Sequence, residues 1–394
     1  MTPLSYPFSQ PADTKIDPEY ARLRTEEPLV RVSMPHGGEA WLVTRYGDVR
    51  TVLGDNRFSR AATLGRDVPR LVPLIQRVPS ILTLDPPEHT RLRRLVAGAF
   101  TARRMQELSP KVEGHATELI DALISQGPPA DLVAGLSRPL PLLVICEMLG
   151  VPYEDRRLFT LWSEAMRSTG PDAVRKMRQA GRLPWEYLAD RIAIERAAPS
   201  DSLLGVLVRA RDEDDRLSEQ ELVSFAVTLL LAGHETTTDE IGSSAYTLLK
   251  RPEHWKRLRT EPGILNSAVE ELLRFVPIGT LSGFTRIATE DVLLSGGWIR
   301  KGEAVVVQAD SANHDETVFQ GADELDFDRS PNRHLAFGYG PHRCLGAQLA
   351  LIELRIVLQV LVTKLPGLAL YGAPRWKHGR SALGPETLPV TWGP

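Results

Sequence analysis

Apolar positions along the chain recur mostly at helical spacing, interrupted by glycine and proline. Residues 17–25 carry a short helical pattern, 40–44 alternate as a strand does, and 46–53 predict a second helix. From 58 to 82 the periodicity is lost among scattered Gly, Pro and Arg. That predicts a long loop, and long loops in compact domains usually serve function. Asp85 can cap the next helix, whose first turn holds Pro86 and Glu88. Residues 106–200 read as amphipathic helices broken at Gly127, Gly150 and Gly170, each with proline close behind. Within them, 140–149 is nearly all apolar and predicts core, with Cys146 buried and unreactive inside it. Residues 158–168 and 184–196 predict two helices with a poorly patterned connection between them.

A long helix is predicted next. Ser218 and Glu221 form a capping box, and no proline follows until Pro252. The pattern allows roughly 33 residues, about 50 Å at the helical rise. Residues 222–232 are apolar nearly all round, so this helix should cross the interior. A helix over 264–275 follows, then β patterning over 276–307. The apolar run after Cys344 predicts a helix as far as Pro366, and 388–392 predicts a closing strand.

Composition narrows the class. The chain has 394 residues, 42% of them apolar, with a net charge of −3. No basic excess points to nucleic acid. Two cysteines give no disulfide framework and suit a reducing cytoplasm. The polar first 20 residues hold neither a signal-peptide core nor a membrane anchor. No repeat, low-complexity tract or linker divides the chain, which predicts one domain over 1–394.

Four local patterns carry candidate chemistry. Phe337, Gly338, Gly340, Pro341, His342 and Arg343 lead into Cys344, followed by Gly346 and the helix. A cysteine at a helix N-terminus has a lowered pKa and an available sulfur, although a lone cysteine is as readily a small buried hydrophobe. His89 and Arg93 share a helical face, as a solvated basic surface would also have them. Ala232-Gly233-His234-Glu235-Thr236-Thr237-Thr238 places polar groups in the middle of the long apolar helix, a local cost that a simple kink would equally explain. Glu271 and Arg274 are three apart, the spacing of an ordinary surface ion pair.

Taken together and in order, these patterns resemble the cytochrome P450 superfamily. The string from Phe337 to Gly346 is similar to its haem-binding F-x-x-G-x-x-x-C-x-G, residues 232–237 to its oxygen-activating A-G-x-D/E-T-T, and Glu271–Arg274 to its E-x-x-R. The resemblance implies a mainly α (α+β) fold, with a large helical part, a small β-rich part, and haem between the long central helix and the cysteine-ligand helix. It implies haem b with Cys344 as axial thiolate, and Ala232, Gly233, Phe337, Gly338 and Gly346 against the macrocycle. His89, Arg93, Arg286 and His342 would bind the propionates. Thr236 would bond dioxygen at the iron, and Glu235 would relay protons from solvent. Glu271 and Arg274 would form a structural network completed by Arg329 or Asn332.

Other segments follow from the same resemblance. The loop 58–82 and residues 277–283 would wall the substrate pocket, the helix pair near 158–196 would cap it, and Ser381–Leu383 would dip into it. His314 stands where the family's A-N-R-D has arginine, which weakens that position's expected hydrogen bonding. The implied reaction is hydroxylation or epoxidation of a bulky apolar natural product, a macrolide or other polyketide in antibiotic biosynthesis. The alternative is a terpenoid, peptide or xenobiotic. Implied partners are O₂, a ferredoxin and an NAD(P)H-dependent ferredoxin reductase, docking near Arg343, with no nucleic acid and no membrane; the protein itself would be a monomer. Rival classes are a haem-thiolate sensor without turnover, and a zinc or thiol hydrolase using Cys344.

Overall fold

The computed structural model describes residues 3–8, 13–212, 217–279 and 284–393. Helices dominate and pack around two large apolar clusters. One gathers Ala102–Gln126, Glu235–Leu249, Leu265–Phe275 and Ala347–Lys364. The other gathers Pro139–Leu149, Arg156–Arg167, Leu183–Ala197, Leu203–Asp212 and Glu219–Ala232. Each is built from the apolar stripes that its helices bury against one another.

The β part is small. Six strands order as Leu4–Ser5, Leu29–Ser33, Glu39–Val43, Ala304–Val307, Arg286–Ala288 and Phe58–Ser59. Its centre is parallel, Trp41 opposite Val305, and Arg286 also pairs with Val305 from the antiparallel side. Val305, Val306 and Val307 are all buried, as a strand covered on both faces requires. The sheet thereby fixes Arg286 in the interior. Most predicted elements fall within one or two residues of these bounds.

Three expectations change. The predicted long helix is two: Glu219–Ala232, with its capping box on Ser218 and Glu221, and Glu235–Leu249. Gly233 lies at the break, where a Cβ would come within 2.8 Å of Ile145 Cδ1 and of the Leu229 carbonyl. The neighbouring helix Pro139–Leu149 approaches too closely for any side chain there. The connection between the helices Arg156–Arg167 and Leu183–Ala197 contains a further helix, Ala173–Ala180. Asp85 caps no helix: its carboxylate accepts from the Arg60 and Ala61 amides and the Ser59 hydroxyl. The helix starts at Glu88 with Pro87 before it and no side-chain cap.

Of the segment 277–283, residues 280–283 lie outside the described residues. Ser381 and Leu383 pack near Gly279, at its described end.

Candidate active site

Residues 334–346 form a turn-rich loop before the helix Ala347–Lys364. Gly338 and Gly340 both adopt φ near +71°, the left-handed region that glycine enters freely. Gly340 also lies against the helix Tyr46–Gly54, where a Cβ would meet the Leu53 carbonyl oxygen at 2.6 Å. The folded loop brings the Cys344 amide to the Phe337 carbonyl at 2.8 Å. Phe337 packs on the large helical core.

Cys344 sits ahead of the helix, two residues before its N-cap Gly346. Protein surrounds the sulfur on most sides, yet the residue is open to solvent, as the floor of a cleft is. Burial pushes its thiol up, against the lowering expected at a helix start, while the Gly346 amide, Arg343 and Arg93 pull it down. Leu345, next to it, packs into the same cluster as Leu229 and Leu231, which precede the helix break. At that break Ala232 is exposed, Leu231, Gly233 and Thr236 are half-buried, and His234, Glu235, Thr237 and Thr238 are buried. Among the described residues the Thr236 hydroxyl donates only to the Ala232 carbonyl, at 3.3 Å.

Glu235 is buried and lies between two arginines. Arg167 Nε is 3.4 Å from one carboxylate oxygen, and Arg380 Nη1 is 3.5 Å from the other. His234 points away into the core, with Nδ1 on the Leu230 carbonyl at 2.9 Å, and burial pulls its pKa down to about 4.

Positive groups converge beside the cysteine loop. His89 and His342 have ring centroids 4.3 Å apart, and neither nitrogen of the buried His89 has a hydrogen-bond partner among the described residues. Arg286 is buried, and burial lowers its pKa to about 10. Burial and then His89, Arg60, Arg286 and Arg93 drive His342 down to about 2. The Arg93 guanidinium, half-buried, is within electrostatic reach of Cys344.

Arg60, absent from the sequence-level candidates, belongs to this group: burial and Arg286 lower it to about 9. It donates to the Leu82 and Thr285 carbonyls and stacks on Phe284. It stands in the aperiodic stretch, where no spacing marks it. Three arginines and two histidines, with both His89 nitrogens unpaired and no carboxylate bonded to any of the five among the described residues, fit an anionic ligand with two carboxylates. A haem, whose two propionates these residues would hold and whose iron Cys344 would bind, meets that donor set.

Glu271 and Arg274 lie on the far side of the loop, both fully buried. Arg274 Nε and Nη2 reach the two carboxylate oxygens at 2.8 and 2.7 Å. Both candidate third members join: Arg329 Nε at 3.1 Å and Asn332 Nδ2 at 3.0 Å. Arg274 also donates to the carbonyls of Asn313, Ala322 and Glu324, and the Asn313 side chain accepts from the Leu335 amide. His314 takes the Asp310 carbonyl at 3.0 Å.

The chain matches the family described as Cytochrome P450 over residues 14–365. It is 48% identical to mycinamicin IV hydroxylase/epoxidase of Micromonospora griseorubida, covering 99% of each chain. It is 47% identical to nocardicin C N-oxygenase of Nocardia uniformis subsp. tsuyamanensis, covering 98% of each. The crystal structure of the LnmA cytochrome P450 hydroxylase of Streptomyces atroolivaceus, from the leinamycin biosynthetic pathway, superposes with a TM-score of 0.91. Its identity is 49%, over 99% of this chain and 100% of that one.

Proposed function

The chain belongs to the cytochrome P450 family and is a monooxygenase with a haem-iron cofactor, and from that premise we propose that it tailors a bulky apolar natural product, a macrolide or other polyketide in antibiotic biosynthesis, by hydroxylation or epoxidation. The observation that carries the reading is the break at Gly233–His234, which exposes Ala232 and the Thr236 hydroxyl beside the loop bearing Cys344. The relatives named for mycinamicin IV and nocardicin C are almost equally similar. Identity therefore does not choose the scaffold, and the pocket must.

Haem, as haem b, supplies the activation of O₂ when bound. The chain's residues do the rest. His89, Arg93, Arg286 and His342, with Arg60, would hold the propionates by charge-assisted bonds. Cys344 would supply the thiolate ligand, its sulfur accepting from the Gly346 amide, which tempers the thiolate's electron donation. Ala232, Gly233, Phe337 and Gly338 would leave room for the flat ring. Thr236 holds a weakly engaged hydroxyl proton at the cleft, and Glu235, pinned by Arg167 and Arg380, would renew it. Glu271 and Arg274 brace the loop from behind.

Electrons would come from a ferredoxin and its NAD(P)H-dependent reductase. The exposed Arg343 and Arg94 offer an acidic ferredoxin a basic face, so the electron-transfer rate should fall as salt is added. Among the described residues no helix is long and apolar enough to cross a membrane; a cytoplasmic, monomeric, single-domain enzyme is part of the proposal.

The test is a titration of the ferric protein with macrolactones, terpenoids and fatty acids, following the Soret band. A saturable low- to high-spin shift confined to macrolactones supports the assignment. A shift with another class alone overturns the substrate and leaves the monooxygenase.

A further inference from the structure

Near the end of the chain Arg375–Trp376 and Pro385–Thr387 pair as a hairpin, closed by the Lys377 amide donating to the Gly384 carbonyl at 3.0 Å. The hairpin lies along one stripe of the helix Glu235–Leu249. Glu235, Asp239, Gly242 and Tyr246 are spaced i, i+4, i+7 and i+11, so they share a face. Each of the four meets the hairpin. Trp376 packs edge-on against Tyr246, ring centroids 5.2 Å apart. Pro385 lies so close to Gly242 that a Cβ there would come within 2.8 Å of its Cγ. Lys377 binds Asp239 in an ion pair whose side chains are 8% and 2% exposed, and a Cβ on Gly384 would meet Asp239 Oδ1 at 2.4 Å. Arg380, in the loop of the hairpin, reaches Glu235 at 3.5 Å.

The other side of that loop is joined to the end of the helix Arg156–Arg167. The Ser381 amide donates to the Arg167 carbonyl at 3.0 Å, and the Thr169 amide donates to the Gly379 carbonyl at 2.8 Å. Arg380 stands between these two bonds, with Nη2 3.0 Å from Glu164. The hairpin thus has a base seated on the helix and a tip that carries the arginine facing Glu235.

Packing of Trp376 and Pro385 already seats the base. A buried ion pair adds little net stability, because desolvation offsets its attraction. What it does add is register. Apolar contacts tolerate a small slide along the helix, whereas a lysine bound to one carboxylate does not. Register matters at the tip: Arg380 and Arg167 stand 3.5 and 3.4 Å from the Glu235 oxygens, beyond the about 2.7–2.9 Å of a tight charge-assisted bond. A slight slip of the hairpin therefore decides whether Arg380 still engages Glu235.

We propose that Lys377 and Asp239 are positioning residues for the proton step: their ion pair fixes the register of the last hairpin on the helix, and the hairpin orients Glu235 through Arg380. The proposal rests on the reading of Glu235 as the proton source.

K377M alone would strand a buried carboxylate, so the main variant is K377M/D239N, which removes both charges at similar volume. In the haem-loaded protein, with CO-complex spectrum and melting recorded first, its coupled product formation should fall about 10- to 100-fold at unchanged KM. O₂ should be diverted to peroxide, and the solvent isotope effect should rise. R380Q should do the same, and adding it to K377M/D239N should cost nothing further, because the pair acts through Arg380. K377R, which keeps a cation on Asp239, should stay close to wild type. One readout is independent of turnover: R380Q should lower the denaturant midpoint of the wild type but not that of K377M/D239N. Wild-type coupling and isotope effect in K377M/D239N, with E235Q impaired, overturn the positioning role alone. So do losses from K377M/D239N and R380Q that multiply in the triple variant, since the pair would then act independently of Arg380. An unimpaired E235Q overturns the reading of Glu235, and the positioning role with it.

Discussion

Two buried charged regions flank the cysteine loop, and they are built on opposite plans. Around Glu271 every charge is answered within the chain: Arg274, Arg329, Asn332 and the Asp326 amide surround one carboxylate. Around His342 no carboxylate binds the basic groups among the described residues. Arg286 depresses Arg60, Arg93 depresses His89, all four depress His342, and His89 has two idle nitrogens. Burial costs both regions alike, so the difference lies in what completes them. The first is finished on folding. The second is finished only by an anion that the chain does not supply. A buried charge is evidence for a ligand when its neighbours share its sign, and evidence for structure when they do not.

The largest effect expected from this contrast comes from Arg274→Ala. It leaves Glu271 without its bidentate partner and three backbone carbonyls without their donor. Breaking a buried pair from one side costs about 3–5 kcal/mol, so urea unfolding should show most of the stability lost, with or without haem. A midpoint near wild type would mean that the network is decorative. Arg286→Ala should behave in the reverse sense. Haem affinity, followed by transfer to excess apomyoglobin, should fall about ten-fold or more, the value of a charge-assisted bond. The apoprotein should melt no lower than wild type, because one member of a like-charge cluster is gone. An apoprotein destabilised as strongly as Arg274→Ala would erase the distinction.

The same contrast explains what the sequence disclosed. Loop and helix motifs are local: the glycines before Cys344, the break at Gly233 and the pairing of Glu271 with Arg274 each sit within one turn or loop, so spacing reveals them. The partners that give those motifs their setting are not local. Arg60 stands in an aperiodic stretch, and Arg167 and Arg380 reach Glu235 from distant segments. Nothing in the pattern of either segment anticipates the other. The helix Ala173–Ala180 escaped because, at eight residues, it is too short for its apolar positions to establish a period. Asp85 had the right type and place for a cap, but the Arg60 and Ala61 amides had already engaged it, a competition visible only in three dimensions.

Asn332→Ala should give the smallest effect and sharpens the comparison most. It removes one of several donors to Glu271 and leaves Oε2 with Arg274 Nε at 2.8 Å and Arg329 Nε at 3.1 Å. The carboxylate stays compensated, so the loss should be that of one hydrogen bond to a charged group, about 1.5–3 kcal/mol at most. The Asn332 side-chain oxygen is itself buried without a partner. Alanine deletes that unsatisfied acceptor together with the donor, which offsets part of the cost and brings the expected loss to about 1 kcal/mol. Denaturant midpoints of Asn332→Ala, Arg274→Ala and the double variant decide the matter. If the network is redundant around one charge, Asn332→Ala costs little alone but more in the Arg274→Ala background, where Glu271 has lost its main partner. Equal costs in both backgrounds would make Asn332 an independent surface contact, and the closure of the network would rest on the two arginines.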